Sequence, residues 1–511
     1  MHTALLIDEI FQAILEACSA WTEQEYRSSL CQVARCCRAW SDPALDRLWV
    51  RLDGITPLVR LLPHAVRRNE LESRALARFH AYAHRVRSIR QTEAVRIPST
   101  LRGFLSLPKL ASIRFRDGGC QTAGFWGVSS NVREVDIHLG FSRRKGCSSS
   151  ALERYLEELH DASARVEILR VRGTTSPQLL RSVATYTSLA TLDLRVGISL
   201  SMEIFCKIAT TFIALRGLTV DARHLDAREL LEGLTTSPTM EAEIFPLLRD
   251  LTLQAKPALA SALLQLIPSR TLETFHFDVQ WTADAPSSPL RQVFAQIPEN
   301  LRSLSLECFD DVDIIDRATL RPLARLAGLQ RFDVQVAVTP GLNDQDAKDL
   351  ATWWPNLEHL AVGAVQDVCG LPRDYGMTPA ACAWFARSCP ALQSLALPVH
   401  IPQSADGLPG AAPLARTPSN ANGRPCTAVR RHPLRRLDIG SRKTIPPSMS
   451  EFCDCIRVLF PSLTLLEVSG LPDIELVQQS TCPSYIPPFL VIITPFFQTT
   501  VSWTPDGSHH R

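Results

Sequence analysis

The hexapeptides LRSLSL (residues 301–306), LQRFDV (329–334) and LEHLAV (357–362) follow one another along the chain, and all three read apolar-x-x-apolar-x-apolar. The last two apolar positions are two residues apart, the period of a β-strand, so both side chains point to one face. The segments between them are amphipathic and long enough for a helix. Trp353-Trp354-Pro355 shows one such segment ending in aromatic residues and stopped by proline before the next strand. A single strand-plus-helix unit cannot bury its own apolar edge. Stacked neighbours can, and the result is a solenoid.

On either side of these three, the same pattern opens at Leu110, Val132, Val166, Leu189, Leu215, Leu248 and Leu272, and again at Leu392, Leu434 and Leu463, which makes thirteen copies. A degenerate copy at Val86 and Ile89 precedes them. The pattern is that of leucine-rich repeats, but the spacing is uneven and the Asn or Cys that usually follows the strand is missing. The fold class expected is therefore an α/β solenoid, an irregular horseshoe over residues 108–476, preceded by a small all-α unit.

That unit covers residues 1–62. Three apolar ladders at helical spacing follow one another there: Ile7, Ile10, Phe11, Ile14 and Leu15; then Leu30, Val33, Ala34 and Cys37; then Leu45, Leu48, Trp49 and Leu52. Three short helices cannot bury all of these among themselves, so part of the surface should meet another body. Residues 63–107 read as a helical connector rich in arginine that carries the degenerate repeat. Residues 401–433, rich in Pro, Gly, Ala, Ser and Asn, read as a flexible insertion, and 477–511 as an irregular, proline-crowded tail.

The net charge of +2 provides no global field for nucleic acid or a membrane surface. Asp8 and Glu9 interrupt the apolar start, so no signal peptide is read, and the apolar run 489–497 is too short to span a bilayer. Fifteen cysteines without framework spacing suit a reducing cytoplasm or nucleus. No phosphate-binding loop, nucleophile elbow, metalloprotease pair or kinase signature is present. Asp310, Asp311, Asp313 and Asp316 lack the glycine and final glutamate of a calcium loop and read as a solvated turn. His509 and His510 have no further ligand to join them. No catalytic residue, metal or cofactor is expected. The residues alternating with the apolar ones should face the concave side, and they run from arginine-rich (Arg114, Arg116, Arg170, Arg172, Arg195) to acid-rich to bland. The arginine-rich part is a candidate target-binding surface for an acidic or phosphorylated segment, the alternative being ordinary solvated strand faces.

Ile7-Asp8-Glu9-Ile10, Ile14-Leu15, the run from Val33 to Trp40 (VARCCRAW) and the run from Pro43 to Trp49 (PALDRLW) together resemble an F-box. With Leu52-Asp53-Gly54 they look like the F-box-like leucine-rich-repeat proteins of basidiomycete fungi. One departure is that Asp8 stands where the family usually carries proline. The resemblance implies a non-catalytic substrate receptor of an SCF-type cullin-RING ubiquitin ligase: the F-box binds a Skp-type adaptor and, through it, cullin and RING protein, and the repeats hold a protein target. On that reading Ile7, Ile10, Ile14, Val33, Trp40, Leu48 and Trp49 form the adaptor-binding face. Several of them, Trp40 and Trp49 above all, could equally be core of the head or its joint with the solenoid. The other reading keeps the architecture and drops the ligase, with helices that only cap an interaction scaffold.

Overall fold

The computed structural model describes residues 8–62, 73–95, 106–116, 119–120, 128–140, 149–162, 164–235, 243–280, 289–308, 315–336, 341–363, 376–399, 432–440, 449–471 and 490–495. The chain divides into two compact units, Met1–Leu215 and Arg216–Arg511.

The first unit opens with three helices, α1 (Asp8–Ala17), α2 (Glu23–Cys36) and α3 (Arg38–Val50). Thr22 starts α2 with a reciprocal cap: its hydroxyl accepts from the Glu25 amide, and the Glu25 carboxylate accepts from the Thr22 amide. Phe11, Leu15, Leu30 and Ala44 close a small core, with Tyr26, Val33, Ala34, Trp40 and Leu48 packed around it. Arg47 ties α3 to α1, donating to the side-chain oxygen of Gln12 at 2.9 Å and pairing with Glu16 at 3.3 Å.

Parallel strands follow in chain order, each paired with the next: β1 (Arg51–Leu52), β2 (Ser88–Gln91), β3 (Ser112–Arg116), β4 (Glu134–His138), β5 (Ile168–Arg172) and β6 (Thr191–Arg195). The second unit repeats the rule with β7 (Gly217–Asp221), β8 (Asp250–Ala255), β9 (Thr274–Val279), β10 (Ser303–Cys308) and β11 (Arg331–Val336). It continues with β12 (His359–Val362), β13 (Ser394–Leu397), β14 (Arg436–Gly440), β15 (Leu465–Leu471) and β16 (Leu490–Pro495). The thirteen expected rungs are β3 to β15, and a helix or helical turn follows most of them. This is the leucine-rich-repeat arrangement.

Register explains why the pattern folds. Leu304, Phe332, Leu360, Leu395, Leu437 and Leu466 lie side by side on successive strands, and all six are buried. Parallel strands sit about 4.8 Å apart, so each rung covers the apolar edge of the one before. The missing asparagine of the repeat reappears at another place. Asn131, Asn300 and Asn356 stand just before the first apolar residue of a rung and donate to the carbonyls of Pro108, Arg270 and Ala327 in the preceding one, at 2.6, 3.2 and 3.0 Å. Gly173 has φ +100°, and a Cβ there would lie 2.4 Å from the Gly140 carbonyl oxygen, so the turns leaving β4 and β5 touch through backbone alone.

Three details differ from the sequence reading. The head of residues 1–62 already contains β1, which pairs Arg51 with Ser88 and Leu52 with Ile89 and so joins the head to the degenerate repeat. The tail supplies β16, a strand where none was expected, because the apolar run there pairs with β15. The insertion ends before His432, which is buried, donates from Nε2 to the Cys389 carbonyl at 3.0 Å, and packs edge-on against Phe460. The rest of the insertion, Asp310, Asp311, Asp313 and both terminal histidines lie outside the described residues. Asp316 is the N-cap of the helix Arg317–Leu320, accepting from the Thr319 amide at 2.8 Å.

Candidate functional site

Two surfaces of the first unit carry residues singled out from the sequence: the head, and the face of the sheet that alternates with the buried rows. In the head, α1 uses its apolar residues in two ways. Phe11 and Leu15 point inward, and the Trp40 ring stacks on Phe11 at 5.1 Å. Ile10 and Ile14 are 40% and 41% exposed, one helical turn apart. Ala13 and Ala17 are exposed as well, so positions i, i+3, i+4 and i+7 make one uncovered apolar stripe. Trp21, just beyond the helix, is 52% exposed.

The residues read as adaptor-facing therefore separate. Ile10 and Ile14 lie on the stripe. Val33, Trp40 and Leu48 are half-buried against the head core. Trp49 forms a joint, its ring 4.6 Å from that of Tyr82 on the helix Ser73–Ala83. Ile7 lies outside the described residues. Ala13, Ala17 and Trp21 were not singled out; the two alanines were signalled only by their helical spacing from Ile10, and Trp21, beyond the helix, by nothing.

The joint is reinforced by charge. Arg85 pairs with Asp42 at 2.6 Å and with Asp46. Partial burial works against its charge, but hydrogen bonds to both carboxylates prevail and raise the guanidinium above its ordinary range. The Arg87 amide donates to the Val50 carbonyl at 3.0 Å, continuing α3 into the sheet. Beside Trp49 a cavity of about 230 Å³ is lined by Arg27, Cys31, Leu48, Trp49, Leu52 and Pro57.

On the sheet, Arg114, Asp136, Arg170 and Asp193 occupy one row across β3 to β6, and Arg116, His138, Arg172 and Arg195 occupy the next. Arg114 pairs with Asp136 at 2.7 Å, and Arg170 with Glu134. Burial alone would raise the Glu134 carboxyl; hydrogen bonds from Arg170 and Ser112 and the charges of Arg170 and Arg114 outweigh it and hold the group below its usual range. Asp193, its side chain only 7% exposed, takes Arg172 at 2.6 Å and Arg195 at 3.2 Å. Arg116 is exposed and has no ion pair among the described residues. Sequence alternation placed these arginines on one face. It did not show that acids on neighbouring rungs engage Arg114, Arg170 and Arg172, or that Asp193 on the same strand engages Arg195.

The second unit's corresponding face is acid-rich. Asp221 pairs with Arg223 at 2.8 Å, and His276 stands 3.6 Å from Glu307. Burial, with the charge of Glu307 adding to it, pushes Asp278 up; burial also pushes Asp333 up, and one Asp333 oxygen is buried without a hydrogen-bond partner. Among the described residues no three His, Cys, Asp or Glu side chains converge as a metal site, and no helix is long and apolar enough to cross a membrane.

No family model matches the chain, and no curated protein matches it. Solved structures give remote likenesses. A chain from the crystal structure of the Rad7 and Elc1 complex in yeast is 13% identical, with 75% of this chain and 74% of that one covered and a TM-score of 0.34. The leucine-rich repeat-containing protein LegL7 from Legionella pneumophila is 17% identical over 49% of this chain and 82% of that one, with a TM-score of 0.30. A leucine-rich-repeat protein of Leptospira interrogans is 10% identical over 71% and 85%, with a TM-score of 0.31. Likenesses this remote say nothing about what the chain does; its fold stands on the register and burial of its own rungs.

Proposed function

We propose that the chain is a non-catalytic substrate-recognition subunit of an SCF-type cullin-RING ubiquitin ligase. The F-box-like head binds a Skp-type adaptor and, through it, cullin and RING protein; the strand array holds a protein target. Ubiquitin transfer occurs elsewhere in the assembly, and this chain contributes proximity, in the cytoplasm or nucleus. The observation that carries the reading is the uncovered stripe Ile10-Ala13-Ile14-Ala17 on a helix whose opposite side already closes a core. An apolar helix face left exposed among the described residues of its head is the kind of surface a helical partner buries. The resemblance of VARCCRAW and PALDRLW to an F-box supplies the partner's class.

The test uses the full-length chain and a purified Skp-type adaptor. Wild type is expected to retain the adaptor on a column, and Ile10→Asp with Ile14→Asp to lose it, since a carboxylate at a buried interface has no counter-charge there. Retention of the adaptor by the double variant, or none by wild type, contradicts the proposal.

A scaffold without ligase function is the second reading, and the joint favours it. Strand β1, the Trp49–Tyr82 contact and the Arg85 ion pairs fix α3 to the first rungs, as a cap would be fixed. Adaptor capture separates the two readings.

A further inference from the structure

We infer that the row Arg116, His138, Arg172 and Arg195 on the first unit seats an acidic segment of a protein partner, lying extended across β3 to β6. The inference rests on the reading that the array holds a target, and it specifies the chemistry of what is held.

Arg114 and Arg170 of the inner row are already engaged, by Asp136 and by Glu134. The next row holds three arginines and a histidine in register, with Asp193 as the one carboxylate among the described residues paired to it. That carboxylate is almost wholly buried and is shared by two guanidinium groups, so positive charge and several N–H donors remain directed to solvent. Arg90 on β2, exposed and in register with Arg114, adds to the excess. Four basic side chains on adjacent parallel strands span about 14 Å, since strands are about 4.8 Å apart.

Backbone geometry favours a peptide as the ligand. An extended chain directs alternate side chains to one face at about 6.8 Å intervals, so carboxylates or phosphoryl groups can meet the arginines while small residues pass over the acids. A nucleic-acid backbone carries charge continuously and would also meet Glu134, Asp136 and Asp193. The net charge of the whole chain, +2, gives such a polyanion no wider field to bind.

The experiment is fluorescence anisotropy on the full-length protein at low salt with labelled peptides of alternating Glu and Gly, alternating phosphoserine and Gly, and alternating Gln and Gly. Both anionic peptides are expected to bind, and the Gln peptide at least about tenfold more weakly, because each guanidinium–anion contact is a charge-assisted hydrogen bond. The phosphoserine arm tells whether the row prefers phosphoryl over carboxylate. Arg116→Gln with Arg195→Gln, both at exposed positions, is expected to weaken the Glu peptide at least about tenfold. Arg114→Gln with Asp136→Asn removes a balanced pair and should change binding by no more than about twofold. A Gln peptide that binds as well as the anionic ones overturns the inference. So does an unaltered affinity in Arg116→Gln/Arg195→Gln, or a single-stranded DNA of equal charge that binds more tightly than either anionic peptide. Adaptor capture is measured on the same proteins. Its failure in wild type removes the ligase reading and leaves this row in place, whereas failure of the peptide series does the reverse.

Discussion

In β10 to β12 the apolar residues of each rung are covered by the rungs on either side, with Leu304, Phe332 and Leu360 all buried. In α1, two isoleucines one turn apart stay about two-fifths exposed while their neighbours Phe11 and Leu15 close a core. Both regions draw on the same residue types. They differ in how many neighbours each element has. A rung within the array has a rung on each side, and stability there is close to a sum of nearest-neighbour interfaces. α1 packs on the head core through one side, and among the described residues its other apolar side stays exposed, as expected of so small a unit.

Truncating side chains in the two regions should have unequal consequences. The largest effect is expected at Phe332, wholly buried and 4.8 Å from the Trp354 ring: Phe332→Ala should cost about 3–5 kcal/mol in denaturant unfolding. An intermediate, pH-dependent effect is expected where the open faces of the two units differ. Glu134 is held below its usual range, so its pairing stabilises the fold above the unfolded carboxyl pKa and is lost as pH falls through the lower folded value. Glu134→Gln should therefore be less stable than wild type near neutral pH, with the gap closing in acid. Asp333 is pushed the other way, so its charged form weakens the fold above its raised pKa. Asp333→Asn should be the more stable protein near neutral pH, and its advantage should fade as pH falls. Thermal melts of the two variants across pH check both signs. The smallest effect is expected on the stripe: Ile10→Ser with Ile14→Ser should change stability by no more than about 0.5 kcal/mol. A cost near that of Phe332→Ala would mean that the stripe is part of a core.

The array was legible because its signal is local and repeated. Two apolar residues two apart, thirteen times over, leave little freedom, and even the degenerate Val86–Ile89 copy is a strand. The joint was not legible, since β1 is two residues long and shows no period. The head's ladders located its three helices. They could not say which side of α1 faces out, because Phe11 is selected for the interior by Trp40, a residue 29 positions away on another helix. The arginine row was legible as a face and its ion pairs were not. Arg114–Asp136 and Arg172–Asp193 depend on rung lengths that set which residues fall side by side.

The outer stripe of α1 is proposed as an interface for a Skp-type adaptor. Hydrogen–deuterium exchange of the full-length chain, alone and with saturating adaptor, tests it. Slowed exchange is expected across α1 and α2, lost in Ile10→Asp/Ile14→Asp, with β10 to β12 unchanged. Protection confined to the strand array, or none anywhere, would contradict it.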